Sequence, residues 1–238
     1  AEAGDTVLLL PGDYGPIAEP PSHVNLQGSG YDVTRVSGPW VLTGTNLVIR
    51  NLRIQGGSPA LRVDGKAQLE SVSIAEAQTA LVVNGDLNCR DLIVENILGP
   101  EQQTRGFDGA TPSGNAAISV SAEGRLNWTS GRLSQVGWTG LSSTGFASLE
   151  RVRFTQTGGP ALFVSGGQIR LNGIQIRGVA VAGILITEGN MRAENLRIDG
   201  IEPSELIPLQ TGLAMYGGQA TIADALMSNI NRGIRLSG

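Results

Sequence analysis

A short motif, one small residue followed by aliphatic–x–aliphatic, recurs along the chain and restricts its fold more than any other feature. It reads Ala60-Leu61-Arg62-Val63, Ala80-Leu81-Val82-Val83, Ala117-Ile118-Ser119-Val120, Gly140-Leu141, Ala161-Leu162-Phe163-Val164, Gly183-Ile184-Leu185-Ile186, Gly212-Leu213-Ala214-Met215 and Gly233-Ile234-Arg235-Leu236. Successive starts differ by 20, 37, 23, 21, 22, 29 and 21 residues. The two long steps contain insertions, near 98–115 and 201–211. A fixed period in this range marks a repeat architecture.

Between the motifs an eight-residue block aligns without gaps, beginning Leu47-Val48-Ile49-Arg50-Asn51-Leu52-Arg53-Ile54 and returning at 67–74, 87–94, 126–133, 147–154, 169–176, 191–198 and 220–227. Positions one and three are apolar, four and five mostly polar, six and eight mostly apolar. This is period-two alternation broken by a polar corner, which helical spacing does not fit. Each unit therefore reads as three short strands, with a glycine at the corner after the small-residue motif (Gly65, Gly85, Gly124, Gly145, Gly166, Gly189, Gly217). One unit cannot bury its own apolar side, whereas stacked units can. Stacking predicts three interior ladders. One joins Ile49, Leu69, Cys89, Trp128, Leu149, Leu171, Ala193 and Ile222. A second joins Ile54, Ile74, Val94, Leu133, Phe154, Ile176, Ile198 and Met227, and a third runs from Leu61 to Ile234 through the motif. The expected fold is all-β: a parallel β-solenoid with three strands per coil and about nine or ten coils of ~21 residues. It forms a single domain over 1–238, with N-terminal coils in 1–46 and regular coils over 47–238. A leucine-rich horseshoe lacks its asparagine-bearing consensus here, and a β-sandwich does not account for the period.

Composition narrows the chemistry. Of 238 residues, 34 are glycine, 16% are charged and 4% aromatic, and the formal charge is −4. That balance gives no bulk attraction to nucleic acid. One cysteine, Cys89, leaves no disulfide within the chain, and no apolar run is long enough to span a membrane. With one histidine, His23, neither a His-rich metal site nor a well-supported Ser-His-Asp set can be assembled. No metal or nucleotide motif is present, so no cofactor is expected.

The opening segment Ala3-Gly4-Asp5-Thr6-Val7-Leu8-Leu9-Leu10-Pro11-Gly12-Asp13-Tyr14, together with the coil pattern, resembles the right-handed parallel β-helix proteins of the pectate-lyase-like superfamily. The resemblance covers nearly the whole chain. It implies that the small-residue motif is the first strand of each coil, that the polar corner is the short second turn, and that both insertions lie in the third turn. It also implies secretion, or a periplasmic or cell-surface location. It says little about activity, because related folds host lyases, hydrolases, epimerases and non-catalytic proteins.

In the polysaccharide-cleaving relatives the active cleft lies over the first strand. The outward residues expected there are Arg62, Val82, Ser119, Ser142, Phe163, Leu185, Ala214 and Arg235, with no Asp or Glu among them. Glycoside hydrolysis usually needs two carboxyl groups across the scissile bond, and a calcium-assisted lyase needs several around the ion. The Asn-Thr-Asp, Asp-Asp and Gly-His-Gly signatures of polygalacturonases are missing, as is the Arg-x-Pro-x-x-Arg of pectate and pectin lyases. Catalysis would have to use acids from or beside the insertions: Asp108, Asp199, Glu202 and Glu205.

Recognition has more candidates. Lys66 is the only lysine among 17 basic residues. Arginine recurs at position seven of the block as Arg53, Arg132, Arg153 and Arg197, on one outward face. Guanidinium forks match carboxylate and sulfate geometry, although neighbouring acids would also neutralise them. Arg105 and Phe107 on the first insertion, Trp138 in the third turn, and Phe163 and Leu185 on the first strand complete the expected binding residues. Val82, Phe163, Leu185 and Ala214 nonetheless make the first-strand face apolar enough that cover by the insertions or by a partner is favoured there over a glycan. The expected function is a non-catalytic recognition or scaffold module. It would bind an acidic polysaccharide or a protein partner along the first-strand face and third-turn loops. The alternatives are a polysaccharide lyase, hydrolase or epimerase using the loop acids, and a purely structural rod. The chain is expected to be part of a longer protein, with an oligomer or adjoining coils covering its end.

Overall fold

A computed structural model describes residues 2–16, 22–98, 116–201 and 211–237. The chain is a right-handed parallel β-helix, all-β, of about nine turns with coils about 22 residues apart. Every strand pairing among the described residues is parallel, each strand lying beside its counterpart one coil away.

All three expected ladders are present in register. Ile49 pairs with Leu69, Leu69 with Cys89, Cys89 with Trp128 and Trp128 with Leu149, continuing to Ile222. Ile54 begins the second and Leu61 the third, ending at Met227 and Ile234. From Ile49 to Ala193 and from Ile54 to Ile198 these side chains are buried in one continuous core. Trp128, the largest fully buried residue, has its ring edge-on to Phe154 at 6.0 Å and donates its Nε1–H to the Ser130 carbonyl at 3.0 Å. Burying a bulky indole is sustainable because its one polar group is satisfied locally.

Many coils run as long bent strands, such as Asp86–Ile97, Arg125–Val136 and Phe146–Thr157. The bends are single residues in the left-handed region. Position five of the block has φ between 52° and 66° in every regular coil (Asn51, Ser71, Asp91, Ser130, Arg151, Gly173, Asn195, Asp224). Five residues later a second such bend recurs at Gly56, Glu76, Asn96, Gln135, Gln156, Gly178, Gly200 and Asn229. One left-handed residue turns the strand sharply while the flanking residues stay extended and paired. That second row is not visible as a motif in the sequence.

The corner after the first strand is closed differently. A Cβ on Gly85 would overlap the carbonyl oxygen of Gly65 in the preceding coil, and one on Gly145 would overlap that of Ser121. Only glycine lets successive backbones approach this closely. The expected member Gly166 is corrected to Gly167. A Cβ on Gly166 would sit 3.5 Å from its nearest neighbour, whereas one on Gly167 would overlap the Gly145 carbonyl. Four residues lead from Val164 to Gln168 where three lead from their partners Ser143 to Phe146, so this corner holds one extra residue and the close approach moves along by one.

Both insertions leave the same corner. Ile97, Val136, Thr157, Val179 and Ile201 form one ladder, so the two departure points are four rungs apart, roughly 19 Å at the ~4.8 Å strand spacing. No helix occurs among the described residues.

Candidate functional site

The first-strand face has the register expected of it. Arg62, Val82, Ser119, Ser142, Phe163, Leu185, Ala214 and Arg235 are partners in one outward row, and no carboxylate interrupts it. Leu81, Leu162 and Ile184, next to them in sequence, are buried in the main core. Phe163 and Leu185 are each only 5% exposed and Ala214 2%. With Tyr216 they form a small apolar cluster separate from that core. The surface expected to receive a ligand at Phe163 and Leu185 is therefore closed within the chain. Trp138 is half-buried in the third turn between Val136 and Thr139. Arg105, Phe107, Asp108, Glu202 and Glu205 lie outside the described residues.

An open surface lies on the third strand of the coil, reached after the first left-handed bend. Arg132 pairs with Arg153, Arg153 with Gln175 and Gln175 with Arg197. Two residues further along the same strands, Ser134, Thr155, Arg177 and Asp199 form the next outward row. A shallow concavity of about 610 Å³ is lined by Arg132, Arg151, Arg153 and Gln175, with Asp91 and Tyr31 among its other walls. A second, of about 380 Å³, is lined by Arg153, Thr155, Gln175, Arg177, Arg197 and Asp199. Arg153 and Gln175 belong to both, so the two form one trough.

The charges in this trough are unequally matched. Glu95 bridges Arg53 at 3.2 Å and Arg132 at 3.0 Å. Arg151 meets Glu150 at 3.2 Å. Arg177 is 3.9 Å from Asp199 and its side chain is 77% exposed. The Arg153 Nε donates to the Gln175 Oε1 at 3.2 Å. Among the described residues, neither Arg153 nor Arg197 has a carboxylate within ion-pair distance. Arg153 and Arg197 are two rungs apart, about 10 Å, where like charges repel by roughly 0.4 kcal/mol in bulk water and by more beside a low-dielectric wall. An anion placed between them would relieve that repulsion.

Asp199, named from the sequence as a possible catalytic acid, is committed elsewhere. It accepts hydrogen bonds from Asn229 Nδ2 at 2.7 Å and Ser228 Oγ at 2.9 Å. Those donors, followed by the positive charges of Arg177 and Arg197, hold its carboxyl below the usual carboxylate range. A group shifted this way stays ionised and is a poor proton donor at neutral pH. No cluster of three or more His, Cys, Asp or Glu able to hold a metal occurs among the described residues.

The structure thus brings Arg132, Arg153, Arg197 and Asp199 to one face and leaves Phe163 and Leu185 on another. Sequence inspection missed Arg177. It has the same outward parity as position seven, two residues further on, so extending the alternation beyond the eight-residue block would have found it.

No family model matches the chain, and neither does any curated protein. Among solved structures it is similar to the mannuronan C-5 epimerase AlgE4 A-module of Azotobacter vinelandii. That match has 15% identity and a TM-score of 0.51, and it covers 98% of this chain and 89% of that one. It also matches the catalytic unit of a GH87 alpha-1,3-glucanase from Streptomyces thermodiastaticus, at 13% identity and a TM-score of 0.46, covering 99% of this chain and 62% of that one. Similarity at these identities concerns the coil architecture.

Proposed function

We propose that this chain is a non-catalytic β-helix module of a secreted or cell-surface protein, and that it binds an acidic polysaccharide. The observation that carries the proposal is the third-strand trough, where Arg132, Arg153 and Arg197 fall in one outward row with Arg177 beside them. Arginine suits such a surface because its planar fork engages carboxylate and sulfate oxygens in pairs and is never deprotonated. The binding face is moved from the first strand, where Phe163 and Leu185 are buried, to the third. The fold is shared with a module that acts on mannuronan, which makes polyuronates the first ligands to test. The first-strand row, whose outward residues include no acid, supports binding over cleavage, and Asp199, held ionised by its donors, is unsuited to be the proton donor of a cleavage step.

Affinity electrophoresis against polymannuronate, polygalacturonate and a sulfated glycan tests the reading. Retardation by at least one acidic polymer, lost in an Arg153→Ala/Arg197→Ala variant and absent with a neutral glucan, is the expected result. Two outcomes contradict it. One is no retardation by any acidic polymer. The other is release of unsaturated uronides or new reducing ends, abolished by Asp199→Asn or Asp108→Asn, which would identify a carbohydrate-active enzyme instead.

A further inference from the structure

Resting on that reading, we infer that a bound polyanion lies along the solenoid axis in the third-strand trough, presenting one anionic group to each of four successive coils. A parallel β-solenoid repeats every ~4.8 Å, and each of four consecutive rungs supplies an outward guanidinium: Arg132, then Arg153, then Arg177 on the Gln175 rung, then Arg197. Both concavities that make up the trough contain Arg153 and Gln175, so the depression is elongated across the rungs. A chain crossing at right angles would follow a single coil. On the central coil it would meet Arg151 and Arg153 and then run onto Thr155. A chain following the axis meets four guanidiniums in sequence, Arg132 shared with Glu95 and Arg177 lying 3.9 Å from Asp199, and Gln175 leaves a gap in their row that Arg177 fills from the side.

The spacing also selects the ligand. A linear polyuronate has one carboxylate on every sugar, so its anionic groups recur at short, regular intervals along the chain, as the rungs do along the solenoid. Sulfated glycans carry anionic groups at irregular intervals and would engage fewer rungs. Single-stranded nucleic acid depends on aromatic stacking platforms. Among the described residues, Tyr31, 37% exposed, is the only aromatic one that lines the trough.

The test is calorimetric titration of the full 238-residue chain with purified oligouronates of two to six sugars. Affinity is expected to rise with each sugar up to four and then level off. Arg197→Gln is expected to weaken the tetramer about fivefold and leave the dimer within about twofold, because a dimer still fits at Arg132 and Arg153. Gln175→Arg, which completes the row, is expected to strengthen the tetramer by a similar factor. All four arginines are solvent-facing, and thermal melting verifies that each variant is folded. A plateau already at the dimer overturns the axial placement. So does equal weakening by Arg62→Gln or Arg235→Gln on the first-strand face, or binding of oligothymidylate as tight as the tetrauronate. In those cases retention by acidic polysaccharide survives as a property of the protein. Failure of every acidic polymer to bind sinks the functional reading itself.

Discussion

At the scale of single residues, shape is set by backbone positions that the side chains tolerate unequally. Arg151 occupies the same left-handed bend as Asn51, Asp91 and Asn195, at φ 54°. Holding a residue with an ordinary Cβ there costs roughly 1 kcal/mol or more, whereas Asn and Gly adopt it readily. Arg151→Asn is therefore expected to raise the denaturation midpoint modestly, and Arg151→Val to lower it, in urea melts of both proteins. The glycine corner has the opposite tolerance. Gly85→Ala would set a methyl against the Gly65 carbonyl, and separating the coils is expected to cost on the order of 1–3 kcal/mol. An unchanged midpoint would show that the coils can part freely at that corner. Cys89, buried in the first ladder, has its thiol pushed well above its usual range by desolvation. A disulfide reagent should leave it unmodified in the native chain and react with it at the rate of unfolding.

At the scale of elements, the ladder is the cooperative unit and the outward rows are nearly independent of it. Leu149 is 1% exposed between Trp128 and Leu171. Leu149→Ala should cost about 2–5 kcal/mol, since the coils above and below cannot collapse into the gap. The third-strand row answers to charge instead. Asp199→Asn removes the negative group beside Arg177, and polyuronate affinity is expected to rise about threefold at low salt. The same substitution has a pH signature. Because the folded carboxyl titrates below its unfolded value, its stabilising contribution is complete above the ordinary carboxylate range near pH 4. It is lost as pH falls through the lowered folded value. The wild-type advantage in urea melts should therefore be constant from pH 7 to 5 and shrink toward pH 3, and a gap that widens on acidification would contradict the assignment.

At the scale of the whole molecule, stability is a sum over coils and their neighbours. The central coils are covered on both sides, whereas in Arg232–Leu236 the ladder residue Ile234 is 55% exposed and Leu236 72%. In the 238-residue chain, amide exchange over 219–236 is expected to be faster than over Asp86–Ile97 or Phe146–Thr157. Uniform protection would contradict a stack that opens from its end. The same one-dimensional order makes the trough possible, because a residue type repeated once per coil becomes a line of charge parallel to the axis.

The coil, its ladders, the corner glycines and the outward arginine row were legible in the linear order of residues. Period-two alternation and a 20–23-residue recurrence leave few ways to bury Ile49, Ile54 and Leu61 together with their counterparts. Alternation also placed Arg132, Arg153 and Arg197 on one face, because strand geometry assigns faces by parity alone. Which outward face stays open was decided only in three dimensions. Phe163 and Ser142 have the same parity and the same row, yet Phe163 is buried in a second apolar cluster, and no local pattern records a contact between residues distant along the chain. The bends at Glu76, Gln135 and Gln156, and the one-residue shift that substitutes Gly167 for Gly166, were hidden for a related reason. A left-handed backbone is imposed where stacked coils must turn together, and the residue there adopts it whether or not its own preference points that way.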